Sequence, residues 1–122
     1  MTNPLVSIII LTYQKGLPHV KKCLESLSRI KYSPVEIILV DNASIDNTVD
    51  YIKKHFANVR ILQNKKNLGF CKGNNQAAKI ARGKYILLLN NDTQVTPGFL
   101  TVLVRVLEKD KSIGVVQPKI WQ

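Results

Sequence analysis

Four short stretches put amides, hydroxyls and carboxylates where apolar runs stop. Thr12-Tyr13-Gln14 follows the run Val6–Leu11, and "DNASIDNT", beginning at Asp41, follows Val35–Val40. "NKKNLGFCKG", Asn64 to Gly73, follows Val59–Leu62, and Asn90-Asn91-Asp92 follows Tyr85–Leu89. A turn needs one such residue, so three in a row after a core strand point to a ligand. Carboxylate and amide oxygens suit Mg²⁺ or Mn²⁺. An acidic side chain such as Asp41, ending a buried strand, can accept hydrogen bonds from a base or a ribose. Each element also has a purely structural reading. Asp46 or Asn47 caps the helix that follows, and Asn67-Leu68-Gly69 makes a turn with Gly69 at positive φ. Tyr13 packs over the sheet end, and Asp92, taken alone, fits an Asx turn as well as a metal site.

These residues need elements to hold them. The four runs, and a fifth at Ile113–Val116, are rich in Ile, Val and Leu and do not alternate with polar residues. Strands buried on both faces read this way. Helical spacing recurs between them: Val20, Leu24, Leu27 and Ile30; Val49, Ile52 and Phe56; Ala77, Ile80 and Ala81; Leu100, Leu103, Val104 and Leu107. Gly83 is the expected C-cap of the third helix. Thr96 is the expected N-cap of the fourth, with Pro97 in its first turn and Lys109 and Lys111 at its basic end. Alternation of strand and helix predicts one α/β domain over residues 1–122, a mainly parallel sheet with helices on both faces. The strand-to-helix loops then open at one carboxyl edge, where such folds bind ligands.

Composition narrows the partners. The formal net charge of +10 calls for anionic ones: phosphorylated small molecules, an acidic membrane surface or nucleic acid. The cations are dispersed as pairs (Lys21-Lys22, Lys53-Lys54, Lys65-Lys66) without interleaved aromatics, which argues for a solvated basic face over specific nucleic-acid binding. No apolar run is long enough to span a bilayer, and Met1 to Pro4 begins no signal-peptide pattern. Cys23 and Cys71 have no partners at metal-ligand spacing and read as free, half-buried thiols in a reducing compartment. The expectation is a cytoplasmic protein, with peripheral contact at the inner face of an anionic membrane as an option. The turn "TYQKGLP" carries one glycine, so the dinucleotide fingerprint is missing, and so is a P-loop. A divalent metal is the other way to hold a diphosphate.

In their order and spacing, "VSIIILTYQ", "EIILVDNASIDNT", "NLGFCKGNN" and "YILLLNNDT" closely resemble the nucleotide-sugar domain of family-2 inverting glycosyltransferases of the GT-A fold. The resemblance covers essentially the whole chain. It implies that Thr12 and Tyr13 lie against base and ribose, and that Asp41 hydrogen-bonds a pyrimidine. Ser44 and Asp46 match the element beside the base; Asn67, Gly69 and Asn74 match the segment closing over nucleotide and sugar. Asn90-Asn91-Asp92 stands in the place of the D-x-D motif, with Asp92 as ligand of Mn²⁺ or Mg²⁺. Asn90 departs from that motif, and the "L-N-x-D" variant resembles the rhamnosyltransferase branch. The implied partners are a UDP- or dTDP-linked sugar and a glycan or lipid-linked acceptor. The family continues into an acceptor-binding half carrying the general base, expected beyond Gln122, so no catalytic residue is assigned here. A chain truncated after its fifth strand is expected to expose Val115, Val116, Ile120 and Trp121 and to self-associate through them. Two other classes are compatible with the residues: a nucleotide-binding module without turnover, and a basic domain binding nucleic acid or membrane surfaces.

Overall fold

A computed structural model describes residues 2–121. Its elements run β1 (Val6–Thr12), α1 (Leu17–Leu27), β2 (Val35–Asn42), α2 (Thr48–His55), β3 (Arg60–Asn64), α3 (Gly69–Ile80), β4 (Tyr85–Asn90) and α4 (Phe99–Lys109). The sheet has four strands in the order β3-β2-β1-β4, every neighbouring pair parallel. β1 is central, and Ile8, Ile9 and Ile10 are fully buried. Its unbroken aliphatic run is what burial on both faces demands.

The topology explains the distribution of helices. From β1 to β3 the strands step in one direction; β4 then returns to the far side of β1. Crossovers are right-handed, so reversing the step moves the connecting helix to the other face. Accordingly Ile8, Ile10 and Leu39 pack with Val20 and Leu24 of α1, Ile52 of α2 and Leu100 and Val104 of α4. Ile9, Ile38 and Val40 pack on the opposite face against Ala77 of α3. Helices therefore cover both faces, as expected. The reversal leaves a crevice at the carboxyl ends of β1 and β4.

Several local expectations are corrected. Ile113–Val116 is not a strand: among the described residues the segment after α4 joins no sheet, and Val115 is 88% exposed. A short apolar run becomes a strand only beside a partner edge, and this one lies on none. Thr96 does not cap α4; its carbonyl accepts the Phe99 N–H in a turn, and the helix starts after Gly98. Gly83 is not a C-cap, since α3 ends at Ile80 with Ala81 as its C-cap. A Cβ on Gly83 would lie 2.6 Å from both the backbone nitrogen and the hydroxyl of Ser7, so close approach of two chain segments explains that glycine. Neither cysteine is half-buried: Cys23 is buried and Cys71 exposed, both free.

Gly83 belongs to a closed polar cluster at the amino edge of the sheet. The Ser7 hydroxyl donates to Glu36 at 2.5 Å and accepts the Gly83 N–H at 2.8 Å. Glu36 also accepts from the Arg82 backbone N–H at 2.6 Å and the Arg82 guanidinium at 3.3 Å. Burial alone would raise the Glu36 pKa; the hydrogen bonds from Ser7 and Arg82 outweigh it and hold the carboxyl below its ordinary value.

Candidate functional site

The carboxyl edge is built differently. Thr12 and Asp41 are register partners at the ends of β1 and β2, and both are buried. The Asp41 carboxylate accepts the Ser44 N–H at 3.3 and 3.4 Å. Beside it the hydroxyls of Thr12 and Ser44 are buried with no hydrogen-bond partner. Such orphans are uncommon in native structures, and a bound water or ligand is their ordinary partner. Just past each strand stands a non-glycine residue in the left-handed region, Gln14 (φ 55°) and Ala43 (φ 60°). The Ile45 N–H donates to the Gln14 carbonyl at 3.3 Å and ties the two loops together. Backbone held in sparsely populated regions clusters at ligand sites.

A second group lies at the ends of β1 and β4, where a cleft of about 280 Å³ is lined by Leu11, Phe70, Asn74, Leu88, Leu89, Asn90, Asn91 and Asp92. Strand alternation separates the two groups. Thr12 and Asp41 fall on the face that packs against α1, whereas Leu11 faces α3. Asn91 and Gly16 join them: a Cβ on Gly16 would sit 2.1 Å from the Thr12 hydroxyl oxygen and 3.5 Å from the Asn91 amide nitrogen. Beneath, the buried Cys23 thiol points to the Asn90 carbonyl at 3.8 Å. Burial pushes that thiol up to about 12, with the charge of Asp92 adding to the shift.

Of the residues expected from sequence, Asn74, Asn90, Asn91 and Asp92 meet in the cleft, and Thr12, Asp41 and Ser44 meet beside it. Tyr13 is exposed, and its hydroxyl accepts from Gln14. Asp46 accepts the N–H of Thr48 at 3.1 Å and is also bonded to the Thr48 hydroxyl, so its carboxylate is engaged at the start of α2. The Asn67 side chain accepts the Gly69 N–H at 2.9 Å, and Gly69 sits at φ 81°: the turn reading describes both.

Among the described residues no three His, Cys, Asp or Glu side chains converge. One carboxylate beside two amides nevertheless fits a cation that takes few protein ligands and completes its shell with water and phosphate oxygens, as Mg²⁺ does.

The family model for glycosyl transferase family 2 matches residues 7–120. The chain belongs to that family. The chondroitin synthase of Escherichia coli is 31% identical over 116 residues, 93% of this chain and 17% of that one. Mannosyltransferase PcManGT from Pyrobaculum calidifontis, in complex with GDP-Man and Mn²⁺, superposes with a TM-score of 0.80 at 22% identity, over 88% of this chain and 33% of that one. TarS of S. aureus in complex with UDP-GlcNAc gives 0.78 at 24%, over 89% and 32%. The fold is thus the GT-A arrangement expected. This glycosyltransferase-family chain spans about a third of those solved chains and less than a fifth of that synthase. Sequence reasoning missed Gly16, Asn42 and Phe70. Gly16 offered one signal, as the single glycine in a polar loop; Asn42 stood beside Asp41 and was read past.

Proposed function

We propose that this domain binds a nucleoside-diphosphate sugar at its carboxyl edge and activates it for transfer to an acceptor hydroxyl with inversion. The observation that carries this is the pair of partnerless buried hydroxyls flanking Asp41, next to a cleft edged by Asn90, Asn91 and Asp92. Thr12, Tyr13, Asp41 and Ser44 receive base and ribose; Asn74, Asn90 and Asn91 face the diphosphate and sugar. Asp92 would hold a divalent cation. Such an ion neutralises charge on a departing diphosphate. In the transfer the acceptor oxygen attacks the anomeric carbon, the bond to the diphosphate breaks, and the hydroxyl proton passes to a general base. Asp41 and Asp46 are engaged by backbone N–H groups and Asp92 serves the donor, so the base is assigned to residues other than these. The exposed Val115, Ile120 and Trp121 are proposed to support self-association.

Melting temperature in the presence of UDP, dTDP and GDP, each with Mn²⁺ or with chelator, tests the reading. A ligand of the native state must raise it. Asp41→Ala is expected to weaken nucleotide binding by roughly 1–3 kcal/mol, the cost of a hydrogen bond to a charged group. No shift with any nucleotide would overturn the proposal.

A further inference from the structure

Behind the cleft, a row of side-chain amides ties the end of β2 to the start of α3. Asn42 is 1% exposed and is not among the residues that line the cleft. Strand alternation turns it away from Asp41, toward the face that carries α3. Its oxygen accepts from the Asn64 amide at 2.9 Å, and its nitrogen donates to the carbonyl of Gly69, the first residue of α3, at 3.2 Å. Asn64 is locked in turn to Gln76 by a reciprocal pair, 2.8 Å one way and 3.0 Å the other. β2, β3 and α3 are thereby linked at one level.

This linkage has little slack. A Cβ on Gly73 would lie 2.5 Å from a Leu11 methyl and 3.4 Å from the Asn42 amide nitrogen, so the helix rests directly on the strand ends. The N-cap residue of α3, Leu68, makes no side-chain cap bond; Asn67 accepts only the N–H of Gly69, the left-handed glycine at which the helix begins. Helix ends without caps fray. Yet the first turn carries Phe70, and the next carries Asn74, which donates to the Phe70 carbonyl at 2.9 Å; the two form one wall of the cleft that Asn90, at the end of β4, and Asp92, just beyond it, also line. Something must hold it, and the Asn42 bond to Gly69 is the side-chain bond that reaches its first residue from the sheet.

We infer that Asn42, backed by Asn64 and Gln76, is a positioning residue: it fixes the start of α3 against the sheet and so sets the gap between Phe70–Asn74 and the end of β4. As a statement about donor binding this rests on the function proposed above; as a statement about α3 it stands alone. The Asn42 amide meets both demands with separate atoms, its oxygen as acceptor toward Asn64 and its nitrogen as donor toward Gly69.

The test pairs two measurements on Asn42→Ala and on the milder Gln76→Ala, which leaves the Gly69 bond in place. Amide hydrogen exchange is expected to show lost protection at Gly73 and Asn74, whose helical N–H groups bond the carbonyls of the first turn of α3, with Asn42→Ala, while β1 and α1 keep theirs; Gln76→Ala gives a smaller change in the same residues. UDP affinity, measured well below the melting temperature, is expected to fall about fivefold to tenfold with Asn42→Ala, a change of about 1–1.4 kcal/mol. A merely structural role would lower the melting temperature and leave the affinity of the folded protein alone. Unchanged affinity beside a wild type that binds UDP overturns the positioning role. If the wild type binds no nucleotide, the proposed function fails, and exchange still decides whether Asn42 anchors α3. Should Asn42→Ala not fold, Gln76→Ala carries both readouts, and unchanged exchange and affinity there count against the inference.

Discussion

The two edges of one sheet are finished in opposite ways. At the amino edge Ser7, Glu36, Arg82 and Gly83 satisfy one another. At the carboxyl edge, on the same β1 and β2, the Thr12 and Ser44 hydroxyls have no partner and Gln14 and Ala43 hold left-handed backbone. A saturated buried cluster contributes stability, because removing one member strands the rest. An unsatisfied one contributes little to folding and keeps its hydrogen-bonding capacity for something else. The contrast gives one end of β1 a stabilising role and leaves the other with the free hydrogen-bonding capacity that the proposed function uses.

The sharpest way to break that contrast is at Glu36. Glu36→Ala leaves the Ser7 hydroxyl and the Arg82 N–H without their acceptor, and is expected to cost roughly 2–3 kcal/mol in urea unfolding. Nucleotide affinity of the folded protein should not move. A variant that kept full stability but lost binding would reverse the assignment.

Asp92→Ala probes the other edge. The gain in nucleotide affinity on adding Mn²⁺ is expected to disappear, a loss of about tenfold or ~1.4 kcal/mol. Titration calorimetry with and without chelator measures it; a metal effect that survives would remove Asp92 as the ligand.

Thr12→Val should separate the two properties within one side chain. Deleting a partnerless buried hydroxyl is expected to leave stability within about 0.5 kcal/mol of wild type or raise it. UDP binding should weaken about fivefold, or ~1 kcal/mol. A clear fall in melting temperature would show that the hydroxyl serves folding instead.

The smallest effect concerns pH and Glu108, which accepts from Lys84 at 2.6 Å and Tyr85 at 2.5 Å and pairs with Lys111 at 3.2 Å. Hydrogen bonds from Lys84, Tyr85 and Lys111, in that order, hold its pKa at about 2, below the ordinary 4.5. The folded state therefore binds this proton less readily than the unfolded one. The stabilisation is complete above about pH 4.5 and is lost as pH falls through about 2. Glu108→Gln should flatten that part of the acid-unfolding curve slightly, since the cluster is exposed to solvent. An identical curve would assign acid sensitivity to other carboxylates, Glu36 first among them.

The sequence by itself determined the α/β alternation, the parallel sheet and the edge that holds the polar loops. Those follow from local facts: continuous Ile, Val and Leu for strands, helical spacing between them, and polar residues where each run stops; burial on both faces holds for β1 but not for the edge strand β4, where Ile86 and Leu88 are exposed. It also placed Asn90, Asn91 and Asp92 together, because neighbours in the chain stay neighbours at a strand end. Tertiary structure decided what depends on distant partners. Ile113–Val116 has the composition of a strand, yet among the described residues it pairs with neither edge strand, β3 or β4. Gly83 looked like a cap and is a gap for Ser7, 76 residues away. Asp46, Asn67 and Gly69 carried motif positions, and the bonds they make in the fold are those of helix starts and turns. Asn42 and Asp41 differ by one position along β2, and the pleat sends one toward α3 and the other toward the partnerless hydroxyls. Which of two adjacent polar side chains meets the helix and which meets the loop after β2 is a property of the faces, and the faces exist only once the sheet is folded.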